Sequence, residues 1–561
     1  MKLPSFAWSL RQLYFNNPFY AWRLSRIEAR DIQTPALDSW PGEVEVGRDI
    51  INGKIVGLNS HDIKTVWEIK PKDPLSFESL HGFTWLRHLR AQGGEEARQT
   101  ARKLVLDWLN SFNNWHSTVW RGDILGERIS SWLGMFDFFC ESASDDFRNL
   151  VLESISKQIT HGLNDINSNV SGIKRIRSLK GLIIGCIALN FSEERIDRLQ
   201  RLLHRELEAQ IFLDGGHTSR SPSTHIEFIM ALIDIRNILR RYGLETSEDF
   251  QIYIAKMSRM LRLWRHGDGK LALFHNSQEN GKPLIDSVLG QVESQQKTIY
   301  SADQTGFHKI SAGSSNLIVD TGAGVNLNDE NHDSLSAFEF STGKQRLIVN
   351  CGTSPGNFEL REALKVSSAH SMLTVDDKSI GMTARKEPNS SRNLFTSVTR
   401  KLVDGCSLIE ITHEGYGESY GLTHNRNLYL SADGTDLRGE ETLNYSGAPG
   451  GIPEKAVVRF HLHPRVRASL VQDGSSILLR PTSGGFWRFK TDSAMALEES
   501  LYLGTAIRQR TEQITVVRSL QDIRDKNRVV VRWSLSKERG AVSRVGQSQG
   551  SKKWRNTNGR D

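Results

Sequence analysis

The stretch Asp214-Gly-Gly-His-Thr-Ser-Arg-Ser-Pro-Ser-Thr-His225 lies between two helical segments of this chain. Ser221-Pro222 predicts the start of the second segment, because serine is a favoured N-cap and proline is favoured at the first helical position. Arg240, Arg241 and Gly243 indicate its end, since basic residues and glycine are typical of a helix C-terminus. The stretch therefore predicts a glycine-containing turn that leads into a long helix.

Three cationic or titratable side chains, those of His217, Arg220 and His225, lie at or just before the start of this helix. The backbone dipole at a helix N-terminus favours an anion. This rim therefore suits a carboxylate or sulfate ligand. The alternative is a well-capped helix whose polar residues face solvent.

Helical periodicity extends on both sides of the turn, from about residue 75 to 285. Apolar residues recur at intervals of three and four within 97–112, 124–136, 150–163 and 250–264, which is typical of helices with one buried face. Residues 180–190 are apolar on nearly all sides, so we expect that helix to be buried. Successive helices with short connections imply antiparallel neighbours, either in a bundle or in a toroid.

Beyond about residue 301 the pattern changes to short alternating runs separated by Gly, Asp, Asn and Ser. Clear examples are residues 346–349, 457–462, 476–480 and 528–533. Many short strands at this spacing predict an antiparallel β-sandwich. Helices followed by strands favour segregated layers over a βαβ arrangement, so the predicted fold class is α+β multidomain.

A chain of 561 residues is too long for one hydrophobic core. We predict an N-terminal arm over 1–50, a helical domain over 51–290 and a β-sandwich domain over 300–536. Residues 537–561 are rich in Ser, Gly, Lys and Arg with almost nothing to bury, which predicts a disordered basic tail.

The net charge of the chain does not select one class of binding partner. The net charge of +7 is modest, and it is compatible with an acidic polysaccharide, nucleic acid or an anionic membrane surface. No nucleic-acid motif is found, so no nucleic-acid partner is expected.

No apolar run approaches the roughly 20 residues of a transmembrane helix, and residues 1–30 do not resemble a signal peptide. Nothing in the sequence indicates an oligomeric state. Four cysteines lie far apart without the spacing of a metal site or a disulfide framework: Cys140, Cys186, Cys351 and Cys406.

A candidate metal site comes from adjacent β segments. His332 follows a polar loop, Asn350 lies where a strand meets a turn, and His370 comes just before another strand. Their nitrogen and oxygen atoms could converge as metal ligands. The alternative is that they are ordinary polar residues at strand ends.

Three motifs in this order resemble those of the heparinase II/III family. They are Asp-Gly-Gly-His…Ser-Pro-x-x-His over 214–225, Ser-x-Phe-Glu-Phe-Ser…Leu-Ile-Val-Asn-x-Gly over 336–352, and Arg…Ala-His-Ser-x-Leu-Thr-Val over 361–375. The resemblance covers about residues 75 to 540. It implies an (α/α) toroid followed by an antiparallel β-sheet domain, and an enzyme that cleaves acidic polysaccharides by β-elimination. It also implies a location at the cell envelope or periplasm, which is at odds with the absence of a visible signal peptide and leaves the cytoplasm open.

The sequence departs from the pattern of the family at its catalytic positions. Thr224 stands where similar enzymes have a tyrosine, and Glu330 stands where they have a histidine. The metal-type positions His332 and His370 match, whereas Asn350 replaces an aspartate. The resemblance therefore implies at most one divalent metal, Zn or Ca, with a structural role and a loose hold, because an amide is a weaker ligand than a carboxylate.

β-Elimination beside a uronate needs a group that neutralises the carboxylate, a base and an acid. Arginines could neutralise, a histidine could act as base, and Glu330 could act as acid if burial raised its pKa. The candidate catalytic residues are His217, Arg220, His225 and Glu330. The candidate substrate-binding residues are Arg175, Arg177, Arg361 and Tyr416. Two functions follow: a polysaccharide lyase, or a non-catalytic relative that binds an acidic glycan or another cell-envelope partner.

Overall fold

The structure is a computed structural model, and it describes residues 11, 13–55, 58–59, 66–67, 73–167, 170–244, 246–292, 297–322, 330–380, 396–447, 451, 453–471, 473–505 and 507–538. The predicted basic tail over 537–561 lies almost entirely outside the described residues. The predicted N-terminal arm is described from residue 11 onward, apart from residue 12.

Helices dominate the first half of the chain and short helical turns interrupt the second. They are α1 Pro18–Ser25, α2 Val44–Ile51, α3 Pro74–Gly82, α4 Leu86–Gln92, α5 Gly94–Phe112, α6 Gly122–Gly134, α7 Phe136–Phe139, α8 Asp145–Asn164, α9 Ile173–Ala188, α10 Glu193–Gln210, α11 Pro222–Tyr242, α12 Glu248–Leu263, α13 Lys282–Gly290, α14 Phe358–Ala363, α15 Gly417–Tyr420 and α16 Ile523–Lys526.

The predicted buried helix is α9, in which nearly every side chain is enclosed. It packs against α6 with the two backbones in contact. A Cβ atom added to Gly181 of α9 would lie 2.2 Å from the carbonyl oxygen of Gly126 in α6, and one added to Gly126 would lie 2.2 Å from the carbonyl oxygen of Arg177. The absence of these side chains therefore permits the close crossing of α6 and α9.

Antiparallel strands make up the second half of the chain, after a small N-terminal hairpin. They are β1 Lys54–Ile55, β2 Leu58–Asn59, β3 Ser301–Ala302, β4 Phe307–Ala312, β5 Ser315–Asp320, β6 Phe338–Thr342, β7 Gln345–Val349, β8 Leu373–Val375, β9 Thr396–Val403, β10 Cys406–Tyr416, β11 Leu422–Leu430, β12 Asp436–Tyr445, β13 Lys455–Leu462, β14 Val466–Val471, β15 Ser476–Pro481, β16 Trp487–Thr491, β17 Ala494–Tyr502, β18 Gln509–Ser519 and β19 Arg528–Lys537.

Two sheets pack face to face. One has the strand order β14-β15-β16-β19-β12-β11-β10-β9, and the other has the order β17-β18-β13-β7-β6-β5-β4-β3, with β8 paired to β13. Aromatic rings fill the space between them: Phe338 of the second sheet stacks on Trp533 of the first at 5.7 Å, and Phe460 meets the same ring at 4.8 Å. The predicted fold class, helices followed by an antiparallel sandwich, is confirmed.

The helical and β domains are joined by buried polar contacts. Arg361 of α14 pairs with Asp73 at the start of α3 at 2.8 Å, and His266 after α12 pairs with Glu339 of β6 at 2.9 Å. None of the helices within the described residues is both long and apolar enough to cross a membrane. The junction between the two domains is where the turn before α11 lies.

Candidate functional site

The turn before α11 is built as its residues predict. The Ser221 hydroxyl accepts a hydrogen bond from the backbone N–H of Thr224, and Pro222 occupies the first helical position. At the other end Gly243 takes the left-handed conformation that closes the helix. The cap and the glycine therefore fix where α11 begins and ends.

Arg220 connects the two domains from this turn. Its backbone lies in the left-handed region at φ 58°. The guanidinium donates to the carbonyl oxygen of Thr305 at 2.8 Å and pairs with the buried carboxylate of Asp320. Although burial opposes ionisation, Arg220 and a nearby histidine hold the pKa of Asp320 well below its ordinary value. Arg220 therefore neutralises a carboxylate of the protein itself.

The two candidate catalytic histidines are enclosed. His217 contacts the Ser219 hydroxyl at 2.7 Å through Nδ1 and the Gln210 side chain at 3.1 Å through Nε2. His225 Nε2 lies 2.8 Å from the carbonyl oxygen of Met257. Burial lowers the pKa of His217 to about 3 and that of His225 to about 4, so both rings are neutral. Neither ring is placed where a polymer could reach it.

Thr224 and Glu330 do come together across the domain junction. The Thr224 hydroxyl donates a hydrogen bond of 2.9 Å to the carboxylate of Glu330. Burial raises the pKa of Glu330, and the contact with Thr224 partly offsets that rise. A carboxyl group of the chain thus lies beside the first turn of α11, where the sequence predicts an external anion.

A cluster of paired charges lies beside this contact, and we call it the charged cluster: Glu78, Arg121, Asp123, Lys174, Arg177 and Glu227. Arg177 of α9 donates to Glu227 of α11 at 2.8 Å and to Glu78 of α3 at 3.4 Å. Lys174 also reaches Glu78, at 2.7 Å, and Arg121 pairs with both Glu78 and Asp123. Each cation of the cluster is therefore paired with a carboxylate of the protein.

These pairs affect how readily the cluster can accept a ligand. Burial alone would lower the pKa of Arg177, but Glu227, Glu127 and Glu78 together outweigh it and the pKa is raised. A glycan carboxylate would have to displace Glu227 or Glu78 before Arg177 could bind it. The cluster is therefore satisfied without an anionic ligand.

The other predicted substrate-binding residues lie away from the cluster or are already engaged. Arg175 faces the carbonyl oxygen of Ile166 and lies 3.6 Å from Glu206. Arg361 is held by Asp73. Tyr416 is buried, its hydroxyl donates to the carbonyl oxygen of Leu373 at 3.2 Å, and burial raises its pKa. Of the four, only Arg177 belongs to the charged cluster.

Two of the three candidate metal ligands are in contact. His332 Nδ1 and His370 Nε2 lie 3.1 Å apart. The second nitrogen of each ring lies 3.0 Å from an oxygen, Asn276 Oδ1 for His332 and the carbonyl of Val366 for His370. A zinc ion bound by two imidazole nitrogens at 2.0–2.1 Å would hold them roughly 3.3 Å apart, and ligating histidines usually donate their other N–H to an oxygen. The distance between the two nitrogens is therefore close to that of two ligands on one zinc ion, and His370 also has the second contact that a ligand usually makes.

The third candidate ligand, Asn350, is already engaged in hydrogen bonds. Asn350 accepts a hydrogen bond from the Ser371 backbone at 2.9 Å and donates to Glu339. In the described part of the chain, no group of three or more His, Cys, Asp or Glu side chains is placed to hold a metal ion. The backbone N–H of Asn276 also lies 3.0 Å from His332 Nε2, so the two imidazoles can satisfy each other without a metal.

Sequence reasoning missed most of the charged cluster. Glu78 and Glu227 lie on different helices and Arg121 directly precedes a third, and their distance along the chain gives no spacing signal. Thr224 and Glu227 are three residues apart, a spacing that predicts a capping box at the start of a helix. The structure shows that this prediction is wrong, because Ser221 is the N-cap, Thr224 contacts Glu330 and Glu227 contacts Arg177.

The burial of the candidate bases limits the chemistry of this site. Proton abstraction from a sugar needs a base that the polymer can reach. His217, His225 and Tyr416 are each at most 2% exposed. At the junction itself stands a threonine hydroxyl, which does not ionise near neutral pH.

Comparisons with known proteins agree with this architecture. Residues 294–543 match the family described as "Heparinase II/III-like, C-terminal". A relative from Caulobacter vibrioides (strain NA1000 / CB15N), "FtsZ-localized protein C", is 30% identical over 494 residues, which cover 82% of each chain.

Solved structures show the same fold at low sequence identity. A heparinase III structure is 13% identical, with a TM-score of 0.67 over 95% of this chain and 92% of that one. The heparan sulfate lyase HepC from Pedobacter heparinus is 14% identical, with a TM-score of 0.58 over 95% and 88% of the two chains. The chondroitin AC lyase of Streptomyces coelicolor A3 is 9% identical, with a TM-score of 0.53 over 96% and 83%.

Proposed function

The chain belongs to the heparinase II/III-like family, and we propose that within this family it is a non-catalytic member that acts at the site of cell division. The proposal has two parts: loss of polysaccharide cleavage, and localisation with FtsZ. Each part has its own support and its own test.

The hydrogen bond between Thr224 and Glu330 carries the first part. The family resemblance implies a phenol and an imidazole at these two positions, and those groups exchange protons far more readily near neutral pH than a threonine hydroxyl does. Here the two side chains satisfy each other, while the neighbouring arginine, Arg177, is neutralised by Glu227 and Glu78. The site is thus stabilised as a closed set of pairs.

The relative supports the second part. Its name places it with FtsZ, and the likeness extends over most of both chains. To test this, a fluorescent fusion of the full chain would be expressed in Caulobacter vibrioides and imaged with labelled FtsZ. We expect the two signals to coincide at the division site; a diffuse signal with an intact fusion would overturn the localisation.

An activity assay tests the first part. The purified chain would be incubated with heparin, heparan sulfate, chondroitin sulfate and alginate, with and without added zinc or calcium. The ultraviolet absorbance of the unsaturated product would be followed, with a heparinase III as positive control. We expect no product from this chain.

The competing function is a lyase in which Glu330, with its raised pKa, is the acid and Arg177 is the neutralising group. In that case His217 or His225 would have to open towards the cleft and act as base. Product from the unmodified chain that is lost in Glu330→Gln, but kept in the exposed control Glu414→Gln, would establish this function and overturn our proposal.

We also propose that any metal is structural and is held by His332 and His370, with Asn350 as the candidate oxygen ligand. A bound metal would supply a crosslink between β-domain loops rather than a reactive group. Metal analysis of the purified chain, with thermal unfolding before and after chelation, tests this. We expect a lower Tm after chelation in the unmodified chain and no such change in His370→Ala; equal Tm values in the unmodified chain would contradict a metal there.

A further inference from the structure

Strand β9 forms one end of the first sheet, and among the described residues it pairs with β10 alone. Its register places Val403 opposite Cys406, and Asp404 and Gly405, both with positive φ, form the two-residue turn between the strands. A turn of this kind is closed by a hydrogen-bonded pair. Because such pairs alternate along an antiparallel ladder, residues 397, 399, 401 and 403 bond to β10, while 398, 400 and 402 point away from it.

The backbone groups on that open side lack partners within the chain. Across the ranges that the structure describes, the N–H and C=O groups of Val398, Arg400 and Leu402 make no hydrogen bond to the protein. Leu402 is 75% exposed and the adjacent Val403 is 53% exposed. An open edge that also carries exposed apolar side chains is a template for another strand.

The two cations of β9 do not block this edge. Lys401 lies on the outer face of the sheet and pairs with Glu410 at 2.6 Å. Arg400 lies on the inner face, and its guanidinium donates to the carbonyl oxygen of Tyr300 at 3.0 Å. Both are therefore engaged within their own chain, unlike the free lysines that protect many edge strands from pairing.

We propose that β9 pairs with β9 of a second copy of this chain across a two-fold axis, so that the first sheets of the two copies become one continuous sheet. A two-fold axis at right angles to a sheet makes two identical edge strands antiparallel. The backbone groups that point away from β10 in one copy then bond to the same groups of the other copy.

Charge and length together select one register for this pairing. Hydrogen-bonded pairs must join residues that point away from β10, so the axis passes through a residue, and axes at 399 or 400 pair the longest stretches of β9. An axis at 400 places Arg400 opposite itself, which is unfavourable because like charges repel. An axis at Thr399 instead places Val398 opposite Arg400 and Ser397 opposite Lys401, with no cation directly facing another.

The same register covers the exposed leucine. With the axis at Thr399, Leu402 lies diagonally across from Val398 of the second copy, on the same face of the continuous sheet. Diagonal neighbours in a sheet are within reach of long side chains. Pairing therefore removes apolar surface from water in addition to satisfying the backbone groups.

Light scattering coupled to size-exclusion chromatography of the full-length chain tests the dimer over a range of concentrations. We expect a mass twice that of one chain. Arg400→Pro removes an N–H that points away from β10 and leaves the bonds to β10 in place, so it should halve the mass. Arg400→Ala is the matched control, since it removes the same side chain but keeps the N–H, and it should remain a dimer. Circular dichroism checks that both variants are folded.

Disulfide crosslinking tests the register without disturbing the backbone. The variants would carry Cys406→Ser, because the other described cysteines are buried. In a non-hydrogen-bonded antiparallel pair the two Cα atoms are about 4.5 Å apart, which suits a disulfide. Thr399→Cys should therefore form a covalent dimer with oxidised glutathione. Ser397→Cys and Lys401→Cys should each stay uncrosslinked alone and crosslink when the two proteins are mixed.

Any one of three results would overturn the proposal. The first is a monomeric unmodified chain at every concentration, which would leave the edge to a strand of a different protein. The second is a dimer that persists in folded Arg400→Pro, which would place the contact elsewhere. The third is a dimer in which Thr399→Cys forms no disulfide, which would exclude an axis at this residue.

Discussion

At the scale of single residues, the most informative position is Thr224. Its hydroxyl donates to Glu330, and this contact links the first turn of α11 to the loop before β6. The threonine at 224 and the glutamate at 330 already indicated, from the sequence alone, that the chain departs from the catalytic pattern of similar lyases. That they touch depends on a fold that brings residues 106 positions apart together, and the local sequence carries no sign of it.

Arg220 provides the first prediction at this scale. Replacing it with methionine removes the guanidinium that faces the buried carboxylate of Asp320 and leaves that carboxylate with His275, Ser334 and the backbone N–H of Gly322. Because breaking a buried ion pair by removing one partner is costly, we expect a loss of about 3–5 kcal/mol in the free energy of unfolding, measured by urea denaturation.

Two further variants control that measurement. Arg220→Lys keeps the charge but not the planar donor pair, so it should show an intermediate loss. Arg467→Met alters an exposed residue on β14 and should stay within about 0.5 kcal/mol. A loss below about 1 kcal/mol in Arg220→Met would contradict a structural role for the pair.

Asp234 of α11 provides a prediction about pH. The Trp40 indole donates to its carboxylate at 2.9 Å, and burial raises its pKa to about 7, with Lys180 opposing and Asp38 adding to the rise. The folded chain thus keeps a proton that the unfolded chain releases near pH 4. The stability that this group contributes is present below pH 4 and is lost as the pH rises towards 7.

Asp234→Asn removes that titration while keeping an oxygen for Trp40. We expect the variant and the unmodified chain to have similar urea midpoints at pH 4. Their difference should then grow with pH to about 1–2 kcal/mol in favour of the variant by pH 8, a discounted value since the side chain keeps some exposure. A difference that does not change with pH would contradict the raised pKa.

At the scale of elements, the sequence predicted the features that depend on neighbouring residues. The cap at Ser221-Pro222, the end at Gly243 and the enclosed helix α9 follow from neighbouring residues, and the structure confirms them. The charged cluster could not be predicted from the sequence, because its residues come close to one another only after the helices have packed. The contact of His332 with His370 was expected from their place on adjacent strands, whereas the hydrogen bonds that engage Asn350 were not.

The crossing of α6 and α9 gives a prediction at this scale. A methyl group at Gly181 would overlap the backbone of Gly126, so α6 and α9 would have to move apart. We expect Gly181→Ala to lower the free energy of unfolding by about 1–3 kcal/mol, the usual cost of overpacking. Gly290→Ala is the matched control, since its Cβ would meet nothing within 4 Å and it ends α13. That change should be neutral or stabilising by up to about 1 kcal/mol.

At the scale of the whole molecule, the two domains share buried polar partners. Arg220 with Asp320, Arg361 with Asp73 and His266 with Glu339 all cross the junction, and Tyr502 of β17 reaches Glu279 between the domains. Separation would expose several charged groups that are paired across the junction. The junction therefore resembles an interior more than a contact between mobile domains.

A single cooperative unfolding transition follows from this junction. We expect differential scanning calorimetry of the intact chain to show one transition. A variant that combines Arg220→Met with Arg361→Met should show two, because the helical and β domains then lose shared partners. Two well-separated transitions in the unmodified chain would mean that the junction contributes little.

The pairing of Thr224 with Glu330 also bears on how this protein could change over generations. A tyrosine at 224 would displace the threonine hydroxyl from which Glu330 now accepts, and a histidine at 330 would remove that carboxylate. Each single step would disturb a hydrogen bond between two half-buried side chains, and such a bond typically contributes about 0.5–1.5 kcal/mol. Under the function that we propose, a lineage that came to cleave glycans would have to change both positions, and either change alone would be disfavoured.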